Sequence, residues 1–143
     1  MSPQPIPPQV LRLLRHPDSS KVLSMVSTDG YPHSIVLGAL IADEDGRICV
    51  GEAFMYRSSK YLEECPRAEF LVWMGKDGYS LRADVVGHVT EGPDLDRMNE
   101  LLGKKGMHAS ALWVFQSVQV WDESASYTSG DRIQRWTPSA PGS

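Results

Sequence analysis

The chain has 143 residues and a mass of 15.9 kDa, enough for one domain with its own core and too little for two. Its 41% hydrophobic and 22% charged residues exclude a disordered chain. The net charge of −4 argues against nonspecific nucleic-acid binding, which needs cations to neutralise phosphates.

Four prolines fall within Met1–Pro8, so this segment reads as an arm. It has neither a basic n-region nor an apolar h-region, and no secretory signal is expected there. Gln9–Arg15 reads as a short helix with Val10, Leu11 and Leu14 on one side, ended by His16-Pro17. Val22–Thr28 reads as a strand, Asp29-Gly30 as a hairpin turn, and Tyr31–Ala42 as the return strand. The longest apolar run, Ile35–Ala42, has eight residues, against about 20 needed to cross a bilayer as a helix. The expected location is the cytoplasm, with no membrane partner.

Asp43–Gly46 reads as a turn and Arg47–Ala53 as the next strand. Ser59–Cys65 reads as a helix with Tyr61, Leu62 and Cys65 together, stopped by Pro66. Ala68–Met74 is a strand closed by Lys76-Asp77-Gly78. In the strand that follows, Leu81, Ala83, Val85, Gly87 and Val89 alternate with Ser80, Arg82, Asp84, His88 and Thr90, which predicts an inward and an outward face. Leu95, Met98, Leu101 and Leu102 form a helical stripe, with Pro93 in its first turn. Ala111–Trp121 reads as a long strand with Trp113, Phe115, Ser117, Gln119 and Trp121 on one face and Leu112, Val114, Gln116, Val118 and Val120 on the other. Two apolar faces imply a helix cover, a cofactor or a partner subunit. Short turns can join only antiparallel neighbours, so about six strands with short helices predict a small antiparallel barrel. The expected organisation is an arm and helix over 1–21, a barrel over 22–124, and an extension and frayed tail over 125–143.

The segment with most chemical promise is Met55–Tyr61. It follows a strand and opens a helix that Ser58 or Ser59 can cap. Free helix amides and the dipole favour an anion there. Arg57 offers a bidentate phosphate contact and Lys60 a mobile positive charge. The bland alternative is an ordinary capped surface helix. Ser34 on the second strand could complete such a site, and Trp73 or Trp121 could stack on a ring, although tryptophan more often fills core or interface. No nucleophile elbow, phosphate-binding glycine loop or metal-binding histidine pair occurs. Cys49 and Cys65 read as reduced thiols, and Asp94 and Asp96 as first-turn acids. No catalytic side chain and no metal site are assigned.

Three stretches carry a resemblance: Val22–His33, Arg57–Ala68, and the strand holding Arg82. Together they resemble the flavin mononucleotide (FMN)-binding split-barrel family related to pyridoxamine 5'-phosphate oxidases, from about Val22 to Trp121, with an extension toward Trp136. The resemblance implies a mainly β fold, a six-stranded antiparallel split barrel with short flanking helices. It implies FMN as cofactor, with Arg57 and Ser58 at the flavin phosphate and Ser59 and Lys60 as further candidates. Ser34, Ile35, Val36 and Leu37 would border the ring. It also implies a homodimer in which Trp121 reaches the cofactor of the second subunit. The function expected is an FMN-binding oxidoreductase or flavin reductase-like protein, its small-molecule or protein redox partner unspecified. One alternative is pyridoxamine 5'-phosphate oxidation, for which Arg132 and Arg135 sit in a C-terminal basic stretch. Another is flavin or haem binding without catalysis, with His88 or His108 as axial ligand. An interaction domain with an empty pocket completes the alternatives.

Overall fold

A computed structural model describes residues 2–133; Arg135, Trp136 and the tail from Thr137 lie outside the described residues. Helix α1 (Pro8–Arg15) is followed by β1 (Ser20–Val26), β2 (Pro32–Val36), β3 (Ile41–Ala42) and β4 (Arg47–Gly51). Helix α2 (Tyr56–Glu64) leads to the hairpin of β5 (Arg67–Met74) and β6 (Asp77–Val89). Helix α3 (Pro93–Gly103), β7 (Leu112–Asp122) and β8 (Arg132–Ile133) complete the order.

All strand pairings are antiparallel and run β2-β1-β5-β6-β7-β4-β3, with β8 added to β7. The expected barrel is thus present, built from six longer strands plus the two-residue β3 and β8. Leu23 and Met25 of β1, Ile48 and Val50 of β4, and Phe70, Leu81 and Phe115 between them share one buried cluster. Residues from both ends of the strand order can meet only if the sheet curls around them. Val10, Leu11, Leu13 and Leu14 of α1 and Ile6 of the arm pack into this cluster. The arm is tied down by Gln4 N–H donating to Ser117 O at 2.7 Å and Ile6 N–H to Glu44 O at 3.0 Å.

Two expected elements change. Tyr31–Ala42 is not one strand: it breaks after Val36 and resumes at Ile41. Strand β2 pairs with β1 while β3 pairs with β4, so this segment must cross from one edge of the sheet to the other. Gly38 sits in the crossing. The apolar run from Ile35 to Ala42 hid the break because it stays apolar throughout. The turn after β5 also comes earlier, at Gly75 with φ 60°, so Asp77 and Gly78 already belong to β6.

The two long strands do not keep one alternation. In the β6–β7 ladder Arg82 faces Gln119 but Ala83 faces Ser117, so Val118 is an extra residue on β7. Val85 faces Phe115 and Gly87 faces Val114, so Val86 is an extra residue on β6. Each insertion flips every following side chain to the opposite face. Trp113 and Phe115 therefore point into the barrel core with Val120, while Trp121 does not. Leu112, Val114 and Cys49 instead form a second cluster with Leu95, Met98 and Leu102 of α3. This helix covers the Leu112 and Val114 part of the second apolar face of β7. Trp113 and Phe115, on a face for which a helix, a cofactor or a partner subunit was open, are buried within the single chain.

Candidate functional site

Helix α2 begins one strand-to-helix turn after β4, and its start differs from the expectation. It opens at Tyr56 with Met55 at the N-cap position and no side-chain cap. Ser58 and Ser59 therefore lie inside the first turn and do not cap it. Burial explains their new roles. Ser58 is 2% exposed, and its hydroxyl meets His33 Nε2 at 3.1 Å. The Ser59 hydroxyl donates to Glu52 Oε1 at 2.6 Å and accepts from Trp113 Nε1 at 3.1 Å. Glu52 Oε2 is 2.7 Å from His88 Nε2. Burial pushes the Glu52 carboxyl up, but the bonds from Ser59 and His88 outweigh it and hold the group below its ordinary range. The result is a helix start locked from below by two strands.

What this leaves on the surface is cationic. Arg57 and Lys60 line a cavity of about 450 Å³ together with Thr28, Asp29, Tyr56 and Tyr61. The amides of Tyr56, Arg57 and Ser58 at the helix start have no intrahelical carbonyl to bond. Among the described residues neither Arg57 nor Lys60 enters an ion pair. The hydrogen-bond partner of Arg57 is His33 Nδ1 at 3.4 Å. Asp29 supplies the opposing charge of the wall. Its carboxyl is held down by the Ser27 hydroxyl and by backbone amides, so it stays anionic and offsets part of Arg57.

The second-strand candidates divide by the pleat. Ile35 and Leu37 pack against the barrel core, while Ser34 and Val36 face outward. Ser34 is paired with Ser24, hydroxyl to hydroxyl at 2.8 Å. Ile35, Val36 and Leu37 line a second cavity of about 130 Å³ with Val50, Phe54 and Met107. That volume is below the roughly 300–1,000 Å³ of small-molecule pockets, so one chain offers it room for part of a ligand. The two cavities flank the same Phe54–Tyr56 turn. Trp121 is elsewhere, on the outer face of β7, with the Arg82 guanidinium 5.6 Å and that of Arg132 6.0 Å from its ring centre. The structure thus brings Arg57 and Lys60, and Ile35, Val36 and Leu37, into neighbouring cavities, and does not bring Ser34, Ser58, Ser59 or Trp121 into the lining of either.

Two residues of this region had no sequence signal read from them. Phe54 holds φ 58°, a left-handed conformation that costs a side chain with a Cβ about 1–2 kcal/mol, yet its ring is 70% exposed. Strain kept without burial points to function. His33 bridges Arg57 and Ser58; its place opposite the helix start depends on the β1–β2 register, with Met25 facing His33.

No family model matches the chain, and no curated protein matches it. Solved structures do. An FMN-binding protein from Syntrophomonas wolfei subsp. wolfei superposes with a TM-score of 0.73 at 20% identity, over 81% of this chain and 84% of that one. An F420 reductase superposes at TM-score 0.66 and 14% identity, over 80% and 98% of the two chains. A proposed pyridoxamine 5'-phosphate oxidase from Lactobacillus delbrueckii superposes at 0.65 and 12%, over 82% and 93%. At such identities the likeness is one of fold, and it agrees with the resemblance carried by the sequence: this chain is a split barrel of the architecture that these FMN-binding, F420 reductase and pyridoxamine 5'-phosphate oxidase-like proteins share.

Proposed function

We propose that the chain binds FMN and serves as a flavin-dependent oxidoreductase or flavin reductase-like protein. One observation carries the reading: two cations that enter no ion pair among the described residues, Arg57 and Lys60, outnumber the one carboxylate, Asp29, in a 450 Å³ cavity at the free amides of a helix start. That donor set fits a phosphate monoester, the charged end of FMN. Arg57 and Lys60 hold the phosphate. Ser58 and Ser59 fix the turn that presents them, through His33, Glu52 and Trp113. Ile35, Val36 and Leu37 border the ring, with Phe54 closing its edge. When bound, the flavin itself supplies hydride or electron transfer, so no nucleophile is required of the protein. In a homodimer the second copy would complete the ring cavity, and Trp121 and Ser34 would enter the site from that side. The likeness to an F420 reductase keeps a deazaflavin as the competing cofactor.

Visible absorption of the protein purified without added cofactor, followed by titration of stripped protein with FMN and with F420, tests this. Flavin bands and saturable FMN binding are expected. Saturable binding of F420 with none of FMN would transfer the site to the deazaflavin. A haem band would favour the haem alternative, although the Nε2 of His88 is already occupied by Glu52.

A further inference from the structure

The cavity at α2 holds one residue that a phosphate contact does not need. Asp29, on the turn between β1 and β2, lines it together with Arg57 and Lys60. A carboxylate beside two cations gains most by bonding to one of them, yet Asp29 enters no ion pair among the described residues. Local bonds hold it in the turn instead. The Ser27 hydroxyl accepts from Tyr31 N–H at 3.0 Å and donates to Asp29 Oδ1. Gly30 N–H closes the turn onto Ser27 O at 2.9 Å. The Thr28 hydroxyl ties it to the far end of α2, donating to Glu64 Oε2 at 2.7 Å. Arg57 meanwhile keeps to His33. The order along β2 shows which part of a ligand Asp29 would meet. Ile35, Val36 and Leu37 border the ring cavity. His33, nearer the turn, touches Arg57 and Ser58, and Asp29 lies beyond the start of the strand at Pro32. A strand advances about 3.3 Å per residue, so ring cavity, cations and Asp29 follow one another in that order along the sheet edge.

We propose that Asp29 is a specificity-determining residue, which closes the site to flavins extended beyond their first phosphate, so that the chain takes FMN and refuses FAD. The proposal rests on the preceding reading of the α2 cavity. A phosphate monoester ends at Arg57 and Lys60, whose two positive charges outweigh the one carboxylate. The pyrophosphate of FAD continues past them. Its second phosphate enters the field of Asp29, where the cavity has no further cation to offset the repulsion. The Asp29 carboxyl is held below its ordinary range, first by the Ser27 hydroxyl, so the repelling charge persists from neutral into mildly acidic solution.

The test is equilibrium titration of the stripped full chain and of Asp29→Asn with FMN, FAD and riboflavin. Asparagine suits a turn as aspartate does and keeps an oxygen for the Ser27 hydroxyl, so the variant removes the charge alone. The parent should prefer FMN to FAD at least tenfold. In Asp29→Asn, FAD should tighten about fivefold, the size of one contact between unit charges in water. FMN should tighten less than twofold, and riboflavin should not change. If Asp29→Asn disturbs folding by circular dichroism, Asp29→Ser replaces it with the same expectation. Equal affinities of the parent for FMN and FAD would overturn the proposal, as would a ratio of FMN to FAD affinity that the neutral variant leaves unchanged. An unchanged ratio with FMN still preferred over riboflavin removes only the role of Asp29. A parent that binds no FMN removes the reading of the cavity, and the proposal with it.

Discussion

Single residues carry most of the chemistry, and they were unequally legible. Arg57 and Lys60 could be picked out because two cations at a helix start have an electrostatic meaning whatever lies around them. Ser58 and Ser59 have the chemistry of caps, but capping depends on where the helix begins, and it opens at Tyr56, which leaves both inside the first turn. Phe54 gave no signal, since a left-handed aromatic cannot be read from residue type. Phe54→Gly tests its role. Removing the strain should leave stability within about 1 kcal/mol of the parent, because glycine accepts positive φ but costs chain entropy. Flavin affinity should fall several-fold in equilibrium titration. A stability loss well beyond that with flavin affinity unchanged would make Phe54 a packing residue. Cys49 is the converse case. It is 1% exposed beneath α3, and its burial pushes the thiol pKa up. A thiol kept neutral is a poor nucleophile. Cys49→Ser should lose about 1–3 kcal/mol of stability through an unsatisfied hydroxyl, yet retain its anaerobic reduction rate per bound flavin. An abolished rate at full flavin content would contradict a mechanism without cysteine.

At the scale of elements, what the sequence carried was punctuation, and what it concealed was register. Asp29-Gly30, Asp43–Gly46 and the Pro93 helix start all fall where turn and capping chemistry put them, with Gly30 and Gly46 at φ 85° and 99°. The bulges at Val86 and Val118 were invisible, because an extra residue in one strand is defined only against its neighbour. They decide which face of β7 enters the barrel and which meets α3. The fit of α3 is tight where it crosses β4. A Cβ on Gly51 would stand 2.9 Å from Met98 Cγ, 3.0 Å from Leu102 Cδ1 and 3.1 Å from Ala109 Cβ. Gly51→Ala should therefore destabilise the chain by about 1–3 kcal/mol through overpacking, measured by denaturant unfolding. A neutral result would mean that α3 shifts freely on the sheet.

For the whole molecule, the barrel is legible in the short turns, while a second subunit is called for by residues other than the β7 aromatics. Trp113 and Phe115 no longer ask for a partner. The outward Val36, 84% exposed, and Tyr56, 84% exposed, do, because they rim two cavities of which one is too small for a ring alone. Light scattering of the flavin-loaded protein at micromolar concentration should give twice the chain mass. A monomer that still binds FMN tightly would leave the ring cavity to a single chain. No helix among the described residues is long and apolar enough to cross a membrane.

The proposed phosphate contact at α2 is tested most directly by the equilibrium affinities of FMN and riboflavin for the parent and for Arg57→Ala. The two ligands differ only in the phosphate. Loss of a charge-assisted contact costs about 2 kcal/mol, so FMN should weaken about thirty-fold while riboflavin stays nearly unchanged. Equal weakening of both ligands, or no change in FMN, would contradict the assignment of Arg57 and the α2 cavity to the cofactor's phosphate.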